Sequence, residues 1–304
     1  MKENIFENKK LRPLFAIFCA VGWSLAYPLI KLGYGELGIE SDDLGSKILF
    51  AGVRFFVAGI LVYLFCILRK EKLRIQKNSK GIMFLVLFAV VNTTLHYMFS
   101  YIGLGYLPSS RSTILDSTGG FFLIILSCII YSDDYFSKKK IIGCILGFSG
   151  VVLINIKPGE NLFEGISMRG DGMILLNAVC MAFGGILTRI ISKKMNMMPA
   201  TGVSMGIGGA IMIIIALIIK PDNKWIISTE GIVIIIVLIL ISAICFGIYN
   251  MLLSFHPISK IAIFNAFIPV LGVFFSALIL GESMQIQYFI AGVVVALGVY
   301  IVNR

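Results

Sequence analysis

Arg54, His96 and Asp116 supply a permanent cation, a titratable imidazole and a carboxylate, and each falls inside a long apolar run. An ionised Arg or Asp at the centre of hydrocarbon costs about 2.5–3.5 kcal/mol, so such residues mark ligand sites, ion pathways or proton relays. Counted inward at a 1.5 Å rise, all three sit about 10–13 Å from one membrane surface, and Asn177 falls at a similar depth. In one shared layer Arg54 could hold a substrate carboxylate, while Asp116 or His96 takes up a proton. The same groups could instead satisfy one another, with Arg54 paired to Asp116 and the network tying its helices together. A tight pair would keep Asp116 ionised and disfavour proton carriage. His96 is placed on one helical face with Asn92, four residues away, where it serves either as a hydrogen-bonding group or as a proton carrier.

A second, neutral set is Asn265, Tyr249 and Asn250, which either completes a binding site or packs helices through amide contacts. Trp23 and Tyr27 stand one turn apart, too deep for the interfacial aromatic belt, so cavity lining is the better reading. Pro28 follows and frees a backbone carbonyl near Ser24. Pro269 can do the same later in the chain, giving two hinges or two tolerated kinks.

Nothing in the chain reads as catalytic machinery. There is no HExxH, GxSxG or P-loop, and no second acidic cluster accompanies Asp133-Asp134, which reads as a solvated turn. The six cysteines fall singly within apolar runs, as small buried hydrophobes. No cofactor and no metal are expected.

The elements that must position these residues are membrane helices. The 304 residues are 58% hydrophobic and only 14% charged, with a mean hydropathy of +0.96. A soluble domain has about 45–50% apolar and about 25% charged residues, so the excess must face lipid. A crossing needs about 20 apolar residues. Ten stretches qualify: 13–32, 46–67, 81–101, 110–131, 140–156, 171–190, 199–219, 231–253, 259–280 and 287–303. The first carries no small-residue cleavage site and is expected to remain as a crossing.

The net charge of +10 is distributed in the short connections, a pattern of topology rather than of nucleic-acid binding. With the N-terminus in the cytoplasm, the inner segments hold eighteen Lys and Arg and the outer ones seven. The positive-inside bias therefore predicts both termini cytoplasmic in the plasma membrane.

Sliding 108–154 by 149 positions lays it on 257–303 without a gap. Pro108, Ser110, Ile114, Ser127, Ile130, Ile141 and Gly143 then meet identical residues. Arg111 meets Lys260, Asp116 meets Asn265 and Asp133 meets Glu282. Five crossings per half put the second half in the opposite sense, an inverted repeat. Small-xxx-small patterns such as Gly143/Gly147 and Gly202/Gly206 predict close helix packing.

Gly22-Trp23-Ser24 with Tyr27 and Lys31, Arg54-Phe55, Gly170-Asp171, and the stretch Ser259–Gly292 with Pro269 and Leu280-Gly281-Glu282 resemble the EamA-type family of the drug/metabolite transporter superfamily. The likeness spans residues 13–303. The first half departs from the family pattern with Gly120 in place of a proline and Ser132-Asp133-Asp134 in place of Gly-Glu. The expected fold is all-α and integral to the membrane: ten transmembrane helices as two inverted five-helix repeats, 13–156 and 171–303, in one transmembrane domain. The resemblance implies secondary transport, in the sense of export, of a small organic metabolite such as an amino acid. A membrane-embedded enzyme or sensor is the alternative class. The expected partners are a small-molecule substrate and membrane lipid, without nucleic acid; the sequence is silent on oligomeric state.

Overall fold

The computed structural model describes residues 5–73, 79–130, 136–153, 165–222, 224–256, 261, 263–283 and 286–303. Asp133-Asp134, Pro257, Ser259 and Lys260 lie outside the described residues. The described chain is helical, with no strand. In order come α1 (Arg12–Glu36), α2 (Leu44–Leu68), and α3 (Ser79–Ala89), which runs through a π turn (Val90–Leu95) into α4 (His96–Leu104). Then follow α5 (Ser109–Asp116), α6 (Gly119–Ile130), α7 (Lys138–Leu153), a π turn (Met168–Gly172) opening α8 (Met173–Ser192), and α9 (Met197–Ile219). The last are α10 (Thr229–Phe255), a 3-10 turn (Ile263–Ala266), α11 (Phe267–Leu280) and α12 (Ile286–Asn303).

With α3/α4 and α5/α6 each counted as one rod, every apolar stretch named above carries a helix. Among the described residues, seven rods are long and apolar enough to cross a membrane, and α11 and Ile286–Ile301 are shorter apolar helices. Leu68 and Leu278, 82% and 70% exposed, are among many large apolar side chains on the outer surface, as expected of helices that face lipid.

Local chemistry sets the ends and breaks. Pro13 opens α1, where its missing N–H costs nothing. Gly38, at φ +66, takes the left-handed position that ends α1, and Ile39 N–H donates to the Tyr34 carbonyl. Asp43 caps α2 by accepting from Ser46 N–H at 2.8 Å, and Ser228 caps α10 by accepting from Gly231 N–H at 2.9 Å. Pro28 leaves α1 continuous. Pro269 falls in the first turn of α11, just after the 3-10 turn. The rod of α5 and α6 breaks after Asp116, where Ser117 and Thr118 hydroxyls donate to the Ile114 and Leu115 carbonyls. A break inside hydrocarbon needs such substitutes for lost backbone bonds. Asp116 and Asn265, matched in the repeat, thus both stand where a rod is irregular.

The rods have a regular plan of contact. The main packing partners are α1 with α10 and α11, α8 with α4 and α6, α2 with α10, and α9 with the α3 rod. To these add α2 with α9, α5 with α11, and α7 with α12. Number the rods one to ten and exchange each with the rod five places along: these pairs return to themselves, whereas α11 packs on α12 far more extensively than its counterpart α6 does on α7.

Two seams bring backbone directly against backbone. Gly59 of α2 faces Gly202 and Gly206 of α9, and a Cβ on Gly59 would stand 2.7 Å from the Gly202 carbonyl oxygen. Gly298 of α12 faces α7 in the same way, 2.6 Å from the Gly143 carbonyl oxygen. Polar contacts between connections keep to two faces. Asp42 meets Tyr106 and Arg169, and Glu282 meets Ser109 and Ser110, on the face where α1 ends. His256 meets the Phe6 carbonyl, and Asn196 meets that of Lys72, on the face where α1 begins.

Candidate functional site

Four helices, α1, α4, α5 and α8, bring one polar cluster together. Asp116, at the break after α5, accepts a hydrogen bond from Asn177 Nδ2 of α8 at 2.5 Å. The Asn177 backbone carbonyl accepts from His96 Nδ1 of α4 at 3.2 Å, which fixes the imidazole tautomer. Tyr27 of α1 brings its hydroxyl to the Asp116 carboxylate, and that hydroxyl also accepts from Ser100 of α4 at 3.2 Å. The π turn inserts its wider coil just before His96, yet Asn92 packs on Gly184 and His96 on Asn177, so both still face α8.

Arg54 lies apart from this cluster. Its guanidinium turns toward α10 and α4. Nε donates to Ser242 Oγ at 2.6 Å and to the Leu238 carbonyl at 3.1 Å, and Nη1 donates to Tyr101 Oη at 3.0 Å. The direct Arg54–Asp116 ion pair weighed from the sequence is not formed. Arg54 is instead braced by neutral oxygens while Asp116 is held by an amide, because the two side chains leave α2 and α5 toward different neighbours. The Tyr97 ring packs on His96 of the Asp116 cluster, with centroids 4.3 Å apart, and on Phe55, over which the Arg54 guanidinium lies.

The neutral set forms a second cluster nearer the α1 N-terminus. Asn265 Nδ2 donates to Tyr249 Oη at 3.0 Å, and Tyr249 stands edge-on to Trp23 with centroids 4.7 Å apart. Asn250 points elsewhere: its Nδ2 donates to Thr201 Oγ1 of α9 at 2.7 Å.

Aromatic rings join the clusters. Tyr97 packs on Phe55 at 3.8 Å and on Phe246 at 5.9 Å, and Phe246 packs on Trp23 at 5.5 Å. Tyr97, Ser100, Tyr101, Ser242 and Phe246 were not among the residues singled out from the sequence, and Phe55 was noted only in the Arg54-Phe55 motif. Tyr97 and Tyr101 do stand one turn apart beside His96, which is the signal that could have found them.

Trp23 Nε1, Asn177 Oδ1 and Asn265 Oδ1 are buried and have no hydrogen-bond partner among the described residues. Leaving a buried polar atom unmatched costs about 1–3 kcal/mol. Such atoms call for an explanation, and these three stand beside the aromatic rings that join the two clusters.

The structure belongs to a known class. The profile of the EamA-like transporter family matches residues 11–156 and 168–304, and the chain belongs to that family. It is a multi-pass membrane protein. Among its relatives, an uncharacterized transporter of Bacillus subtilis, YvbV, is 24% identical over 95% of this chain and 90% of its own length. The S-adenosylmethionine/S-adenosylhomocysteine transporter of Chlamydia muridarum is 25% identical over 91% of this chain and 88% of its own. A solved crystal structure matches at a TM-score of 0.69 and 13% identity, covering 97% of this chain and 96% of the other, a likeness of fold.

Proposed function

We propose that this chain is a secondary transporter that moves a small organic metabolite, such as an amino acid, across the plasma membrane by alternating access. Its sense is export, and both termini are cytoplasmic. The observation that carries the reading is the column of charged, aromatic and unmatched polar groups at mid-depth in a bundle of membrane-crossing helices. Trp23, Tyr27, Arg54, His96, Asp116, Asn177, Tyr249 and Asn265 line the substrate path; Asn250 supports it through α9.

Residues 13–156 and 171–303 act as two inverted five-helix repeats. The exchange of packing partners supports this, as does the family match over two separate stretches. Inverted repeats around a midplane site suit rocking of one bundle against the other. The printed name of the Chlamydia relative supports the small-metabolite class.

Asp116 is the leading proton carrier and His96 the second. Asp116 has no cation beside it among the described residues, so proton binding there breaks no ion pair.

The test is counterflow in liposomes holding the purified protein, screened with labelled amino acids, sugars and drugs. Wild type is expected to exchange at least one class, and Trp23→Ala to exchange it at least tenfold more slowly. A screen silent for every class would overturn the transport reading.

A further inference from the structure

Among the described residues Arg54 is the largest fully buried side chain, 2% exposed. Guanidinium stays protonated at any physiological pH, so its charge is permanent. A buried charge without a counter-charge is costly, and nature normally pairs it. Among the described residues every group that meets the guanidinium is neutral: Ser242 Oγ, the Leu238 carbonyl, Tyr101 Oη and the Phe55 ring, 4.9 Å from the guanidinium carbon. Among the described residues no acceptor meets Nη2. The one carboxylate in this layer, Asp116, is engaged by Asn177 of α8.

These neutral partners hold the side chain in place. Ser242 hydrogen-bonds in turn to the Leu238 carbonyl at 3.0 Å, and the Tyr101 carbonyl accepts from Tyr34 Oη at 2.7 Å. With Nε and part of Nη1 occupied, the outer edge of the fork remains for a ligand. A planar guanidinium edge matches a carboxylate through two parallel bonds. Beside it stand the rings of Phe55, Tyr97 and Phe246.

We infer that Arg54 is the anion anchor of the substrate path, and that the cargo is a small organic carboxylate whose apolar part lies against Phe55, Tyr97 and Phe246. Ser242 and Tyr101 are positioning residues that aim the guanidinium. This rests on the transport reading only for the word cargo; the anion site itself stands on the geometry of Arg54.

The test measures binding rather than transport. Thermal stabilisation of the purified full chain is titrated with acetate, lactate, phenylacetate, alanine and phenylalanine, each beside its own amide. Wild type is expected to bind at least one acid tenfold or more tighter than its amide. Arg54→Gln should abolish that preference and Arg54→Lys should weaken it, whereas Arg169→Gln, at an exposed site, should leave it unchanged. Equal affinity for acids and amides, no response to any acid, or a preference that survives in Arg54→Gln would each overturn the assignment. If Arg54→Gln does not fold, the wild-type acid–amide pairs and Arg54→Lys still decide. Acid binding without counterflow would sink the transport reading and keep the anchor. Counterflow with equal affinity for acids and amides would do the reverse.

Discussion

A carboxylate inside a membrane protein changes character with its partner. Asp116 is held by an amide and a phenol, so gaining a proton removes a charge without stranding a neighbouring cation. Replacing it with Asn fixes the uncharged form. Asp116→Asn should therefore flatten the pH dependence of counterflow while retaining measurable exchange; a pH profile identical to wild type would remove Asp116 from proton coupling. Arg111 and Asp171 behave in the opposite way. They form a buried ion pair at 2.6 Å, and Ser167 N–H also donates to Asp171 at 2.9 Å. Removing one partner leaves the other uncompensated, at about 3–5 kcal/mol. Arg111→Ala is expected to lower Tm by several degrees, and the charge-free pair Arg111→Met with Asp171→Leu to recover much of it.

At the scale of helices, the glycine seams decide how near two rods come. At Gly59 a Cβ would press on the backbone of α9, which cannot rotate aside. Gly59→Val should cost about 3 kcal/mol, the upper end of overpacking in a close-packed interior. Gly120→Ala, where a Cβ meets nothing within 4 Å, is the control and should leave Tm within a degree or two. Scanning calorimetry or dye-monitored melting in detergent separates the two.

How much of this was legible beforehand follows from the physics of each element. Crossing length is dictated by hydrocarbon thickness, so ten apolar runs could be read directly. Small residues at four-residue spacing likewise announced close approach at Gly143/Gly147 and Gly202/Gly206, but not that α12 and α2 would be the partners. The direction in which a side chain leaves a helix was not legible, because a rod that is apolar all round has no amphipathic face to fix its rotation. Arg54 and Asp116 could thus be assigned one depth without their different neighbours being visible. The π turn at Val90–Leu95 leaves no mark in composition. Nor does the cap made by Glu282: the matching of Glu282 with Asp133 hinted at a role but not at its partners on α5.

Across the whole molecule, that cap joins the two halves on one face. Glu282 accepts from Ser109 N–H at 2.6 Å, Ser110 N–H at 3.1 Å and Ser110 Oγ at 2.7 Å, where the positive end of the α5 dipole favours a negative charge. On the same face Lys31 Nζ donates to the Leu104 and Leu107 carbonyls, each at 3.0 Å. Together they tie α5, α1 and the connections to one another on the face where α1 ends. Glu282→Gln removes the charge that makes the cap strong. With the six native cysteines replaced and Ser112→Cys installed, Glu282→Gln should raise labelling by a membrane-impermeant maleimide from that face several-fold. Unchanged labelling would mean that the cap does not govern opening.

The seam between α2 and α9 has a consequence for how such a motion could run. It joins a rod to its own counterpart, so the relation that exchanges the halves passes through it. Interdigitated side chains would give that junction teeth and force it to move in notches of a full residue. Where backbone rests on backbone, at Gly59, Gly202, Gly206 and Gly209, it has none, and the Val62 and Ile213 side chains flank that strip. The strip can serve as a plain bearing, close enough to hold the two rods together while its flanks limit any turn to small angles.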